Sequence, residues 1–127
     1  MIDFVVRGTP KSQQAGSRKR WQETVQDAAP PLSELLTGPL RLRIDFFFDG
    51  STNLDTDNII KPIQDALEDI VYGDDETVVD VCARKIDLRS LPALAAASPT
   101  LLTALSELPG DFVYIRVASA HRRLEFA

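Results

Sequence analysis

The sequence predicts one α/β domain, α+β in detail: a mixed four-stranded sheet with about three helices in the order βαβαβαβ. Three observations predict it. The chain has 127 residues, 44% of them hydrophobic, and a chain of this size buries roughly 65% of its unfolded surface, enough for one core and too apolar for disorder. The run from Leu40 to Asp49 alternates apolar and polar positions almost strictly. Between such runs lie stretches with apolar residues at helical spacing, separated by proline and glycine turns. With no internal repeat and no linker, residues 1–127 form one domain.

Ile2, Phe4 and Val6 alternate with Asp3, Val5 and Arg7 as a first strand, which Gly8-Thr9-Pro10 ends. Lys11 to Arg20 is polar and carries Lys11, Arg18, Lys19 and Arg20, a loop running into a helix. That helix is marked by Trp21, Val25 and Ala28 or Ala29 and stopped by Pro30-Pro31. After a turn at Thr37-Gly38-Pro39, Leu40, Leu42, Ile44, Phe46 and Phe48 share one face of a second strand, with Arg41, Arg43, Asp45, Phe47 and Asp49 on the other. A helix follows from about Asn58 to Val71. Its apolar set is Ile59, Ile60, Ile63, Leu67, Ile70 and Val71, and its polar stripe is Asn58, Lys61, Asp65 and Glu68. Pro62 restricts Lys61, so the regular helix starts either near Asn58 or only at Pro62. Tyr72-Gly73-Asp74-Asp75 is a tight connection into a β-branched strand, Val78 to Ile86. Ser98-Pro99 is a helix start, and Leu101, Leu102, Leu105 and Leu108 form its apolar face up to Pro109-Gly110. Phe112 to Ala118 closes the order, with Val113, Ile115 and Val117 on one side.

Cys82 has no second cysteine to pair with, and mid-strand it reads as packing. A reducing cytoplasm is the expected compartment. The N-terminal apolar stretch is shorter than a signal peptide's core of roughly 7–15 residues, and no run approaches the roughly 20 apolar residues of a bilayer span. No membrane partner and no small-molecule cofactor are therefore expected.

Net charge is −5, which by itself argues against nucleic acid. Its distribution reverses that. Between Asp45 and Asp80 stand eleven acids and one base, Lys61, leaving eight acids and thirteen bases elsewhere. A basic body surrounds one acidic island. Asp55 and Asp57 are two apart before the helix, so in an extended entry segment both carboxylates face one side. Asp74 and Asp75 lie at the far end, about 20 Å away along a fourteen-residue helix, and meet the first pair only if the chain folds back or the helix is shorter. If they converge, two carboxylates about 4 Å apart repel by roughly 4 kcal/mol at an effective dielectric near 20, so one takes a proton or a cation sits between them. Carboxylate oxygens without histidine or cysteine select Mg²⁺ or Mn²⁺. Lys61 is then either a salt bridge to Asp57 or Asp65 or a cation aimed at a phosphate oxygen. The spacing leaves open both a metal site and a solvated acidic face. Other motifs fail. An EF-hand from Asn53 would need glycine and glutamate where Asn58 and Gln64 stand. No glycine-rich phosphate loop is present, and His121, the sole histidine, reads as a surface residue.

Asp55-Thr56-Asp57-Asn58, Lys61-Pro62, Asp65-Ala66-Leu67, and Tyr72-Gly73-Asp74-Asp75 before Val78-Val79 together resemble the RusA family of Holliday-junction resolvases. Its pattern is DxDNxxK, a DAL helix and a Tyr/Trp-x-Asp-Asp turn entering a strand. Gly8-Thr9-Pro10-Lys11 after a short strand is similar as well. The resemblance implies a homodimeric, Mg²⁺-dependent endonuclease, with Mn²⁺ as a possible substitute, that nicks four-way DNA junctions in symmetric pairs and leaves 5′-phosphates. It implies Asp55, Asp57 and Asp75 as metal-binding carboxylates with Asp74 beside them, and Lys61 as catalytic base or charge stabiliser. Asn58 and Asp65 would be supporting residues, Asp65 orienting Lys61 from one turn away. DNA contacts would come from Lys11, Arg18, Lys19, Arg20, Arg84, Lys85, Arg89 or Arg122-Arg123, since Ser51 to Leu54 contains no base. The alternative from another class is a catalytically silent dimeric domain, binding DNA or protein, whose carboxylates hold a structural cation. The leucine-rich third helix either covers the sheet or forms an interface.

Overall fold

The computed structural model describes residues 1–11, 15–90, 97–107 and 110–120. Four strands, β1 (Ile2–Arg7), β2 (Leu40–Phe48), β3 (Val78–Asp87) and β4 (Phe112–Ser119), form one sheet in the order β1-β4-β2-β3. β4 runs antiparallel to both β1 and β2, while β2 and β3 are parallel and joined through a helix. Three helices complete the fold, α1 (Ala15–Ala28), α2 (Thr56–Leu67) and α3 (Pro99–Ser106). The expected order and mixed sheet are those observed. Among the described residues no helix is long and apolar enough to cross a membrane.

The alternation along β2 divides the interior into two layers. Leu40, Leu42, Ile44 and Phe46 point to the side covered by α1 and α2, where they pack with Val25, Ile59, Ile63 and Leu67. Phe47 points the other way and stacks on Phe112 at 4.7 Å, beneath Leu101 and Ala104 of α3. Ser98 caps α3 as its sequence predicts, its hydroxyl oxygen accepting from Leu101 N. The buried face of α3 differs from the leucine pattern. Leu101 and Ala104 are buried, but Leu102 is 56% exposed because it lies about 100° around the helix from Leu101. Leu108 falls outside the described residues.

Two helix boundaries are corrections with physical reasons. α1 begins at Ala15, so Arg18, Lys19 and Arg20 are helical; its first turn, Ala15-Gly16-Ser17-Arg18, carries no apolar rhythm to announce it. α2 runs from Thr56 to Leu67 with Pro62 inside it, rather than from Asn58 to Val71 or from Pro62. An interior proline costs about 3 kcal/mol. Burial of Ile59, Ile63 and Leu67, at roughly 1.5–3 kcal/mol each, exceeds that, and the Pro62 carbonyl accepts from Gln22 Nε2 of α1 at 3.3 Å.

The end of α2 sets up the site. Glu68 is extended and Asp69 takes the left-handed conformation at φ 63, which aspartate tolerates better than most residues. Asp69 N donates to Tyr72 O at 2.7 Å and Val71 N to Leu67 O at 2.9 Å. The chain thereby reverses within five residues and buries Val71 and Tyr72 beneath α2. A 3-10 turn at Asp75–Thr77 then leads into β3. β3 holds a bulge: Leu40 pairs with Val78 but Arg41 with Asp80, leaving Val79 as the extra residue. Cys82 is exposed on β3, a correction to its expected place in the packing: β3 is the sheet's outer strand, and its face carrying Cys82 is not covered there.

Candidate active site

Asp57, Lys61 and Asp65 follow one another at intervals of four, which places them along one line of α2 with about 6 Å between successive turns, and Glu68 stands just past the helix end as its C-cap. Folding back at Asp69 brings the segment after α2 against the lower part of that line. Lys61 Nζ lies 2.9 Å from Asp65 Oδ1 and 3.2 Å from Asp75 Oδ2. Arg18, from α1, reaches Asp65 Oδ2 at 3.2 Å. Asp65, Glu68 and Asp75 each present a carboxylate oxygen within 4.8 Å of the other two. Three carboxylates thus share a space with two cations.

The electrostatics record the crowding. Glu68 holds its proton to higher pH than an ordinary glutamate, first because Asp75 hydrogen-bonds to its protonated form and then because of that neighbour's charge. Lys61 is likewise pushed up, chiefly by its hydrogen bonds to Asp65 and Asp75. Tyr72 is pushed up by burial and by the surrounding carboxylates, and its hydroxyl donates to Gln64 O at 3.0 Å. One atom is left over: Asp75 Oδ1 is buried and has no hydrogen-bond partner. An unsatisfied buried acceptor costs about 1–3 kcal/mol, and more when charged. An all-oxygen donor set around an orphaned carboxylate oxygen fits a hard divalent cation.

Of the residues singled out in the sequence, the fold joins Lys61, Asp65 and Asp75. Glu68 completes the cluster; its place in the polar stripe was the signal available. Asp57 stands one turn from Lys61 on the same helix face and, like Asp55 and Asn58, is exposed. The helix begins at Thr56, so Asp57 is in its first turn and the extended side-by-side pairing with Asp55 is not formed. Asp55 occupies the cap position, but its carboxylate makes no capping bond. Asp74 is exposed and turns to the backbone, accepting from Glu76 N at 3.0 Å.

The basic candidates separate into three places. Arg18 belongs to the acid cluster. Lys11 and Arg20 line a groove of about 260 Å³ with Arg7, Ser17, Thr24 and Trp21, a lining that includes no acidic residue; Lys19 is exposed nearby on α1. Trp21 Nε1 is buried there without a partner. Arg84 lies on the opposite sheet face, bound to Asp45 through Nε at 2.8 Å and Nη2 at 3.1 Å. Lys85 is exposed on β3, and Arg89 pairs with Asp49. His121, Arg122 and Arg123 lie outside the described residues.

No curated protein matches the chain. Among protein families, the one described as endodeoxyribonuclease RusA matches residues 7–94, from the end of β1 past β3, a span that contains every residue of the acid cluster. On that match, the chain belongs to the RusA family of endodeoxyribonucleases.

Proposed function

We propose that the protein is a Mg²⁺-dependent endonuclease that resolves four-way DNA junctions by paired nicks, acting as a homodimer. The observation that carries this reading is the Lys61–Asp75 contact at 3.2 Å beside the orphaned Asp75 Oδ1. It joins two parts of the family pattern that are fourteen residues apart, at an atom that lacks a partner.

Asp75 is the central ligand in this reading, shared between the cluster it forms with Asp65 and Glu68 and the carboxylates that the family pattern adds from outside that cluster, Asp55 and Asp57 at the start of α2 and Asp74 in the turn. A bound Mg²⁺, or Mn²⁺ in its place, supplies an acidified water and neutralises charge on the scissile phosphodiester. Lys61 extends from a helix face with its side chain 61% exposed, so its ammonium can hydrogen-bond a phosphate oxygen and stabilise charge that develops there. Asp65 positions Lys61 and is itself held by Arg18. Glu68, with its raised proton affinity, moderates the repulsion among the carboxylates. The groove containing Arg7, Lys11 and Arg20 offers charge and hydroxyl donors to backbone phosphates. A four-way junction has twofold symmetry, and symmetric cleavage requires two sites related in the same way, as in a C2 dimer.

The test is a labelled four-way junction beside a duplex of equal length, each with Mg²⁺, Mn²⁺ or chelator. Paired nicks in the junction alone, lost with chelator and in Asp75→Asn, are expected. A folded protein that leaves the junction intact with either metal would refute the reading and favour a silent domain in which Lys61 itself serves as the structural cation.

A further inference from the structure

The sheet face opposite α2 holds a second concentration of charge that the nuclease reading does not use. A cavity of about 190 Å³ lies there beside the start of α3, lined by Arg43, Asp45, Arg84, Ser98, Tyr114 and Arg116 among others. Arg43 of β2 and Arg116 of β4 are direct cross-strand partners. Like charges at opposed positions of an antiparallel pair are destabilising, so the arrangement calls for a counter-charge. Asp3 of β1 stands opposite Arg116 on its other side and supplies one carboxylate, but Arg43 faces no acid across either neighbouring strand, its partners being Cys82 and Arg116. Arg41 is paired with Asp80 at 2.8 Å, Arg84 with Asp45 at 2.8 Å and Arg7 with Glu107 at 2.8 Å. Arg43 forms no ion pair among the described residues, and Arg116 Nε reaches only the Met1 sulfur at 3.0 Å.

The cavity's own acids are already engaged. Asp45 is 2% exposed and both of its oxygens accept from Arg84. Asp3 accepts from the Tyr114 hydroxyl at 2.8 Å and from Thr100 Oγ1 at 3.3 Å. Tyr114 is buried and forms part of the floor of the cavity. Ser98 Oγ accepts from Leu101 N and lies 3.2 Å from Tyr114 Oη, with a rotatable proton of its own.

We propose that this cavity is a binding site for a phosphate-type oxyanion, held by the guanidiniums of Arg43 and Arg116. Two planar forks side by side suit a tetrahedral anion with several acceptor oxygens, and guanidinium–phosphate hydrogen bonds are among the stronger ones in proteins. The site is separate from the acid cluster, because residues 43 and 45 of β2 point away from the face on which α2 packs. It does not depend on the nuclease reading. The phosphate belongs either to the backbone of a nucleic-acid strand lying across this face or to a free phosphorylated molecule.

The arginine Nε–Hε signals of the ¹⁵N-labelled full chain in chelator are followed while inorganic phosphate is added, with chloride at matched ionic strength as control. A saturable shift at Arg43 and Arg116, with Arg41 unmoved, is expected. Arg43→Gln should weaken phosphate binding at least about tenfold, equal to 1.4 kcal/mol, while unfolding no earlier than wild type without phosphate, because it removes a like-charge pair. A short single-stranded oligonucleotide without terminal phosphates separates the sources: the same two signals move for a backbone phosphate and stay still for a free ligand. Shifts no larger with phosphate than with chloride, or unchanged phosphate binding in Arg43→Gln, overturn the proposal.

Discussion

Replacing Arg84 by methionine tests how the sheet tolerates an acid at its centre. Asp45 is 2% exposed, and both of its oxygens are bound by Arg84 at 2.8 and 3.1 Å. Removing one partner of a fully buried ion pair costs about 3–5 kcal/mol, because the remaining charge is stranded. Here the Arg84 side chain is 46% exposed, so water can approach from the side the guanidinium vacates, which lowers the expected loss to about 2–3 kcal/mol. For a chain of this size that is a fall in Tm of roughly 8–12 °C. The pair itself contributes much less than this. Taking it away entirely, as Asp45→Val with Arg84→Met, leaves apolar side chains next to Tyr114 and recovers all but about 1 kcal/mol. Urea unfolding of wild type, both single variants and the double variant gives the coupling energy directly. An Arg84→Met variant within about 0.5 kcal/mol of wild type would refute the reasoning, since that is the range of an ordinary surface change.

Three further outcomes are expected. Glu68 binds its proton more tightly folded than unfolded, so its contribution is fully present below its unfolded value and is lost as pH rises through the raised folded one. In chelator, Glu68→Gln should therefore match wild type in Tm in acid and exceed it at neutral pH, and parallel melting curves across that range would count against the Asp75 contact. Mg²⁺ at 100 times its Kd should stabilise the wild type by about 2.7 kcal/mol, an increment that calorimetry should find missing in Asp75→Asn. On α3, Leu101→Ala should cost about 2–4 kcal/mol, whereas Leu102→Ser should stay within about 0.5 kcal/mol of wild type; equal losses would mean that this helix covers its exposed side with another surface.

Much of the fold was legible because it is written in local chemistry. The alternation in β2 foretold the core beneath α1 and α2, though not the second one around Phe47, and Ser98-Pro99 foretold the start of α3 to the residue. The rest depends on events without a local signature. The first turn of α1 has no apolar repeat, and α2 continues through Pro62 because the burial of Ile59, Ile63 and Leu67 outweighs the cost of the proline. For the site, Asp75 and Lys61 were legible as residues, and their meeting was not. It depends on the left-handed Asp69 and a five-residue reversal, a conformation that aspartate permits without requiring. Glu68 was visible only as one more polar residue on a helix stripe, and its role follows from where Asp75 comes to rest.

The bulge at Val79 separates two regions of the gene product that tolerate length changes differently. Upstream of it, between Asp75 and Val78, an inserted or deleted residue can be absorbed by shifting the bulge while the pairing beyond Asp80 and the Lys61–Asp75 contact stay in place. Downstream no such slack exists. A single-residue deletion between Asp80 and Arg84 would turn Arg84 toward the helices and bring Lys85 opposite Asp45, exchanging a two-pronged partner for a point charge. Within this lineage, variation in chain length is therefore expected to accumulate only between Asp75 and the bulge, and to be purged both from the strand and from the turn that carries Asp75 to Lys61.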